Sequence, residues 1–585
     1  MFWGSADWLP AGQVPGRRQS APPRAFCEND CVDESGVPTM TEVTPARPGS
    51  HDAGSNALPS GYQVSPELPM LVESQEATGW LPAPGRLARS LPVVTFVLRR
   101  LLSGIVTLIG SSVILWLIYA LLGGSQWWYT VTPYWVWLTE FIGGNLGVGW
   151  RGWTPNVPFT EILSGAIPYT IRLVFSAAGF ALLLGVCFGI LAALRRNTRF
   201  DYGVLFLGFV GLSSPSFAVA IIIRFWGAIA VNDFLANPVI PWWVVLFGSL
   251  LLGGIWSSLI GGPTRRRWLV FAIATAVTSA ALIGISATGW LARPRLGYIG
   301  VAALGAGFAL ALVALLYPRL TWRAVRPPLM AVAIGVLLSY PLQWAFQPFT
   351  ASWTMMIGLA AVALASGLLI GWLFGGDDRR TAMSATAITA LITGALIFTD
   401  RLLAVWPYYL ALPWVNYRPI PTFGLSRPGI PEDFWFLTWD TVVHWSRPIL
   451  ALGIASFAVY LAYARASLIE VLDQDYVRTA RAKGVPEHLV IVRHALRNAL
   501  LPLTTITPTD VAGLFIGAII LEPIFNIPGV GTVFRQSFWL GEWGWMINLH
   551  PYMATLLLGA TLVVVTSFVV DLLYAALDPR IRVAA

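Results

Sequence analysis

Apolar runs of about 20 residues recur along this chain from about residue 97 to 577, and that recurrence leaves few folds open. A bilayer core about 30 Å thick is crossed by roughly 20 apolar residues in a helix, and only helices or closed barrels satisfy their backbone polar groups there. About twelve such runs are present. Composition agrees: of 585 residues, 56% are hydrophobic and 11% charged, whereas soluble domains carry about a quarter charged residues. The expected fold is an all-α, multi-pass protein of the cell (plasma) membrane.

The formal net charge of +8 would suit a nucleic-acid surface, but the placement of the charges argues otherwise. Lys483 is the only lysine, and the arginines gather in short linkers between apolar runs, as the positive-inside rule expects. No nucleic-acid partner is expected. The first span is read from about Pro92 to Leu122, the second over about 167–193, and the third from about Tyr202 to Val231. Arg195, Arg196 and Arg199 mark a cytoplasmic turn between the last two. Three more spans lie near the C-terminus, at about 447–464, 503–521 and 551–577.

Between these groups lie six further runs, near 242–262, 268–290, 298–317, 327–346, 353–374 and 383–405. If the third span exits outward, the linkers holding Arg265, Arg266, Arg267, Arg319, Arg323, Arg326, Arg379 and Arg380 are cytoplasmic. The opposite linkers hold only Arg293, Arg295 and Arg401. Eight against three favours that arrangement. An even number of extra spans also returns the chain to the outer face, where the next one must start.

The expected divisions are 1–90, 91–231, 232–446 and 447–585. Residues 1–90, rich in Pro, Gly and Ser without a long apolar run, read as a disordered extension, with Met40 and Met70 as alternative starts. No signal-peptide core opens them. Cys27 and Cys31 lack a second Cys or His pair at zinc spacing, so no metal site is expected. Cys187, inside an apolar run, reads as a small packing residue. Aromatic groups at Trp127-Trp128-Tyr129, Tyr134–Trp137 and across 406–446 read as outer interfacial segments.

One segment is of a different material. From 468 to 500 the chain is polar, basic and helix-forming, running through Asp475-Tyr-Val-Arg-Thr-Ala-Arg-Ala-Lys-Gly484 to His494-Ala-Leu-Arg-Asn-Ala-Leu-Leu-Pro502. Gly484, followed by Val485-Pro486, divides it into two short helices, because Gly ends helices readily and Pro suits a new helix start. A helical hairpin at the cytoplasmic face reads as a socket for a partner.

This segment resembles the coupling (EAA) loop of ABC-importer permeases of the dipeptide/oligopeptide branch. Other stretches resemble the same family in its own order: Phe96-Val-Leu-Arg99-Arg100-Leu-Leu, Gly189-Ile-Leu-Ala-Ala-Leu-Arg195-Arg196, Ser213-Ser-Pro215-Ser-Phe217, Glu522…Pro528-Gly529-Val-Gly531, and Asp571-Leu-Leu-Tyr-Ala-Ala-Leu-Asp578-Pro579-Arg580. Where the general motif has Glu-Ala-Ala, this chain has Arg478-Thr479-Ala480. The resemblance implies a six-helix type I permease core, interrupted at 232–446 by an inserted bundle of about six transmembrane helices. It implies ATP-driven import of peptides or similarly sized solutes by alternating access. The implied partners are a second homologous permease subunit, two ATP-binding subunits or domains and an extracytoplasmic substrate-binding protein, besides membrane lipid. Its coupling residues would be Arg478, Thr479, Ala480, Arg481, Ala482, Lys483, Gly484, Arg493 and Arg497. The two alanines would allow close approach to the partner, and the cations would meet its carboxylates.

The chain lacks the Gly-Lys-Ser/Thr of a phosphate-binding loop. ATP and Mg are therefore expected on partner subunits, with no cofactor here and no enzyme activity of its own. Intramembrane charges are functional candidates, so Asp510, Thr507 beside it and Arg224 are candidate path residues. The alternative is a self-contained secondary transporter or channel, which twelve spans also suit. A membrane enzyme is disfavoured, since 232–446 gathers no acid, base or metal-ligand cluster. Its Ala, Gly, Leu and Trp content suggests a bundle peripheral to the path.

Overall fold

The computed structural model describes residues 86–122, 133–151, 154–345, 350–541, 544–547 and 549–577, all in the unit Ala83–Ala585. Residues 1–85, the Cys27–Cys31 pair, Trp127-Trp128-Tyr129 and Asp578-Pro579-Arg580 lie outside the described residues. Among the described residues, twelve helices are long and apolar enough to cross a membrane. Among the described residues the fold is all-α apart from two short antiparallel hairpins, Val148–Arg151 with Thr154–Pro158 and Phe538–Gly541 with Gly544–Ile547.

The first helices are α1 (Arg86–Leu122), the short α2 (Tyr134–Ile142) and α3 (Phe159–Leu194). The third passage departs from the expected single helix over 202–231. It is built from α4 (Arg199–Ser213), α5 (Ser216–Phe225), a π-helical turn at Trp226–Ala230 and α6 (Val231–Ala236). Pro215 causes the break, since a residue before proline is pushed to extended backbone; Ser214 sits at φ −86° and ψ 123°. The Ser214 hydroxyl donates to the Val210 carbonyl at 2.7 Å, satisfying part of the interrupted ladder.

All six expected runs between 242 and 405 are helices: α7 (Trp242–Ile260), α8 (Thr264–Ala287), α9 (Gly297–Leu316), α10 (Trp322–Ala345), α11 (Trp353–Phe374) and α12 (Arg379–Leu410). α7 and α8 pack on each other, and α9 to α12 pack together as a bundle. α13 (Phe434–Leu472) follows and is much longer than the run at 447–464 implied. The segment 406–446 is accordingly not one interfacial loop. Trp406 and Tyr409 lie buried at the end of α12 against Val415 and Val443, and 434–446 is the opening of α13.

α13 is the central post of the fold. It packs along α3 and also touches α4, α5 and α17 (Leu501–Phe525), and α17 in turn packs on the short α18 (Val530–Gln536) and on α19 (Leu549–Leu577). Leu173, Val174 and Ala177 of α3 meet Leu452 of α13 and Leu514, Phe515 and Ala518 of α17 in the main apolar cluster. Trp137, expected at the interface, is instead buried against Tyr552, Met553 and Leu557 of α19. Cys187 is exposed on α3, so it does not pack inside this chain.

Close helix pairs depend on small residues, because lipid supplies no solvent-driven force between helices. On α11, a Cβ at Gly367 or Gly371 would run into the α12 backbone at Ala387 or Met383. We expect Gly371→Val to force this pair apart and to destabilise the protein by about 1–3 kcal/mol, the usual range for overpacking. Gly254→Val on α7 is the control, since nothing lies within 4 Å of its Cβ. Equal thermal unfolding of the two variants would refute the account.

Contacts between linkers sort the molecule into two ends. At the arginine-rich end, Arg195 donates to the Ile260 carbonyl at 3.4 Å and Arg196 lies 3.7 Å from Asp473. At the opposite end, Asn232 exchanges hydrogen bonds with Ile420, Arg418 lies 3.2 Å from Asp233, and the Leu296 and Gly297 amides donate to Asp400.

Candidate functional site

The basic segment folds as a helical hairpin at the arginine-rich end. Residues 468–472 belong to α13, and after it come α14 (Asp475–Ala482), a turn, α15 (Glu487–Leu489), a π-helical stretch Val490–Ala495 and α16 (Leu496–Ala499). The turn is a Schellman motif: the Val485 amide donates to Ala480 O at 3.3 Å and the Gly484 amide to Arg481 O at 2.9 Å. Gly484 has φ +75°, which a residue with a Cβ adopts only with strain.

The two arms are tied together at several points. Val477 and Ala480 bury their side chains against Val490. Ala480 is thus inside the hairpin and not on the docking surface expected of it. Arg481 grips both Glu487 oxygens, its Nη2 reaching Oε1 at 2.7 Å and Nε reaching Oε2 at 3.1 Å, and its Nη1 donates to Leu472 O at 3.2 Å. These bonds tie Arg481 into the hairpin while it stays exposed at the surface. Hydrogen bonding to Arg481 holds the Glu487 carboxyl below its ordinary range, so this tie is intact at neutral pH and is lost only in acid. The Asn498 amide donates to the Tyr476 hydroxyl at 2.9 Å across the same gap.

The other predicted residues divide by exposure. Ala482, Lys483, Gly484 and Arg497 are exposed, and Arg478 is exposed 3.7 Å from Asp475. The Thr479 hydroxyl donates to Asp475 O in its own helix. Arg493 turns away from the tip: its Nη2 donates to Leu316 O at 3.2 Å, while His488 Nε2 lies 2.9 Å from Tyr317 O. Both contacts are to the end of α9, where a helix C-terminus attracts donors and cations. The α9–α12 bundle therefore touches the hairpin and is not wholly apart from it. A cavity of about 830 Å³ lies beside the hairpin, lined by Arg195, Arg196, Trp256, Arg266, Arg481 and Glu487 among others.

Of the candidate path residues, Thr507 and Asp510 lie one turn apart on α17, whereas Arg224 is remote from them. Asp510 is half-buried on α17 and accepts a hydrogen bond from Ser456 of α13 at 2.8 Å, while its Oδ2 is buried without a partner. Thr507 donates to Leu503 O of its own helix at 2.6 Å. Arg224, on α5, donates to Ile524 O at 2.8 Å. Since 14 residues of α17 separate Asp510 from Ile524, Arg224 lies about 20 Å along the helix from Asp510.

Three polar features were not anticipated as sites. Asp201 of α4 is fully buried in a two-pronged pair with Arg465 of α13. Glu522, read as the start of an outer loop, is a fully buried member of α17 that binds Thr170 of α3 and the Gly531 amide. Arg447 is buried in α13. The signal available for each was a charge next to an apolar run.

A bundle of twelve apolar helices with a structured basic hairpin at one end defines a multi-pass membrane protein of the transporter class. The chain belongs to the family of binding-protein-dependent transport system inner membrane components, which matches it over residues 185–583. It is 40% identical over 213 residues to a dipeptide transport system permease protein of Bacillus subtilis, covering 34% of this chain and 65% of that protein. It is 32% identical over 237 residues to a glutathione transport system permease protein of Pectobacterium atrosepticum, covering 40% of this chain and 65% of the relative. A dipeptide transport system permease protein of Escherichia coli is 41% identical over 166 residues, covering 28% and 47%. The chain thus spans between about half and two thirds of the length of these relatives.

Proposed function

We propose that this chain is a transmembrane permease subunit of an ATP-driven importer of peptides or similarly sized solutes. It pairs with a second homologous permease subunit and receives solute from an extracytoplasmic binding protein. Two ATP-binding subunits dock on the hairpin 475–499 from the cytoplasm and hold the ATP and Mg. In this reading α1, α3, the third passage, α13, α17 and α19 are the permease core, and α7 to α12 are an insertion whose α9 end braces the hairpin.

The observation that carries the reading is the hairpin itself. A rigid turn with internal ties exposes Arg478, Lys483 and Arg497, and it continues directly from α13. A push on the hairpin therefore reaches the central post of the fold. Closure of the ATPases would move that post and switch the core between outward- and inward-open states, provided that ATP and solute bind those states unequally. Asp510, with Thr507 on the same helix, and Arg224 belong to the candidate path.

Gly484→Val tests this. The new Cβ meets nothing within 4 Å, so the effect comes from the left-handed backbone and not from a clash. We expect normal membrane insertion and at least a tenfold loss of substrate-stimulated ATP hydrolysis in the assembled complex. Gly484→Asn, which tolerates this backbone, should keep most of the stimulation. Wild-type stimulation in the valine variant would rule out the turn as the transmitting element.

A further inference from the structure

The cavity beside the hairpin combines an apolar wall with a cationic rim. It lies where the ends of α3 and α7, the start of α8 and the hairpin meet. Its volume, about 830 Å³, falls within the ~300–1,000 Å³ usual for ligand sites. Leu191 and Leu194 of α3 and Trp256, Leu259 and Ile260 of α7 supply the wall. All but Leu259 are exposed, so two membrane spans end in an open apolar face. Chain order sets the cations beyond that face: Leu194 is followed by Arg195 and Arg196, and Ile260, after a turn, by Arg266. Apolar and charged parts are thus ordered as in a lipid, from the bilayer interior towards its surface.

The turn between α7 and α8 brings two of these cations together. Arg195 donates through Nη2 to the Ile260 carbonyl at 3.4 Å, and a Cβ on Gly261 would lie 3.4 Å from its Nη1. A Cβ on the next residue, Gly262, would lie 3.0 Å from Arg266 Cδ. Consecutive glycines therefore let arginines of α3 and α8 close on one turn. Four arginines and two acids line the cavity, and both acids are engaged. Arg481 holds Glu487, and Asp473 lies 3.7 Å from Arg196. Among the described residues no carboxylate forms an ion pair with Arg195 or Arg266. α8 itself opens on Arg265, Arg266 and Arg267, with no capping side chain and no acid in its first turn. Cations at that end oppose the helix dipole, which favours an anion there.

We propose that this cavity binds an anionic phospholipid, its phosphodiester at Arg195 and Arg266 and its chains along the wall formed by α3 and α7. Basic recesses between membrane helices attract anionic headgroups, and guanidinium groups bond phosphate oxygens well. A soluble anion would meet the cations but leave the exposed apolar wall uncovered. A neutral lipid would cover the wall and leave the cations without counter-charge. Arg481 and Glu487 line the same cavity, so a lipid seated there adjoins the tie that closes the hairpin. Lipid composition would thereby act on the firmness of that tie. The site requires only that the chain sit in a bilayer, so it stands apart from the transport proposal.

The test uses the purified full-length chain in an uncharged detergent, with thermal unfolding followed as dioleoyl phosphatidylglycerol is added. The midpoint should rise by about 2 °C at a hundredfold excess over half-saturation. Dioleoyl phosphatidylcholine, with the same chains and no net charge, should give less than half of that rise. Glycerol 3-phosphate, an anion without chains, should give none. Arg266 is exposed, so Arg266→Gln should keep the unliganded midpoint. It should raise the half-saturating phosphatidylglycerol concentration about fivefold, the effect of one arginine near an anionic surface. Arg266→Lys should bind nearly as well as the wild type. Arg195→Gln combined with Arg266→Gln should erase the difference between the two lipids. Arg319→Gln with Arg323→Gln, near the hairpin but outside the cavity lining, should leave it intact. Equal responses to the two lipids, or a full response to glycerol 3-phosphate, would overturn the lipid site. So would an unaltered response in Arg266→Gln, or an equal loss in the Arg319 and Arg323 control, which would mean diffuse surface charge. If the Arg195 and Arg266 double variant folds poorly, Arg266→Gln against Arg266→Lys decides.

Discussion

Asp201→Ala is expected to destabilise the arginine-rich end of the molecule by about 3–5 kcal/mol, the range for removing one partner of a buried ion pair. Asp201 has no exposed surface, and Arg465 reaches its two oxygens at 2.6 and 2.8 Å. The Asn197 amide adds a third bond at 2.9 Å, closing the turn between α3 and α4. The pair therefore fixes the start of the third passage to α13, a short way before the hairpin begins. Without the carboxylate, Arg465 and the Asn197 amide would each lose a partner in a poorly hydrated site. Thermal unfolding of Asp201→Ala, Arg465→Ala and the double variant gives the coupling between the two residues directly. Additive losses would mean that the pair is not a unit.

The same site predicts a pH response. Burial pushes the Asp201 carboxyl up, but hydrogen bonding from Arg465 and Asn197, with the Arg465 charge, outweighs it and leaves the group below its ordinary value. A depressed carboxyl contributes stability above its unfolded value and loses it as pH falls through the folded one. The wild-type minus Asp201→Ala difference should thus be constant from pH 7 to about 5 and shrink only in stronger acid.

Spans were legible in the sequence because lipid imposes a length and a composition that local counting detects. The six helices α7 to α12 emerge where apolar runs stood. The hairpin was legible for a different reason: Gly484 and Pro486 act within a few residues of their own position. The breaks and pairings were harder. Ser214-Pro215 was visible, yet its effect on a whole passage depended on neighbours.

Asp201 and Arg465 are 264 residues apart, and Thr170 and Glu522 are 352 apart, so no local pattern links either pair. Arg447 was hidden by a boundary. A span starting at 447 would put it at the interface, where a long side chain snorkels readily. With α13 opening at Phe434, the same residue lies well inside the helix.

Glu522→Ala is expected to release the segment that returns the chain from α17 to the short helix Val530–Gln536. The Thr170 hydroxyl donates to Oε1 and the Gly531 amide to Oε2, each at 2.6 Å, and the Thr170 oxygen accepts from the Val530 amide at 2.9 Å. One buried carboxyl group thereby serves both amides, one of them through Thr170, and ties α3 to α17. The glycines of this motif keep the geometry: a Cβ at Gly529 would strike the Glu522 carboxyl, and one at Gly531 would strike the Ile519 backbone. A hydrogen bond contributes about 0.5–1.5 kcal/mol net, and each buried donor left stranded costs about 1–3 kcal/mol. Amide exchange at Val530 and Gly531 should therefore accelerate about 100-fold or more, since each 1.4 kcal/mol of lost protection is a factor of ten. Thr170→Val should accelerate Val530 more than Gly531, because it removes the relay and leaves the direct bond. Glu522→Gln should fall between, as its amide nitrogen has no lone pair to offer one of the two donors. Unchanged exchange at both amides in Glu522→Ala would mean that apolar packing alone, through Ile527 and Val530, holds the return segment in place.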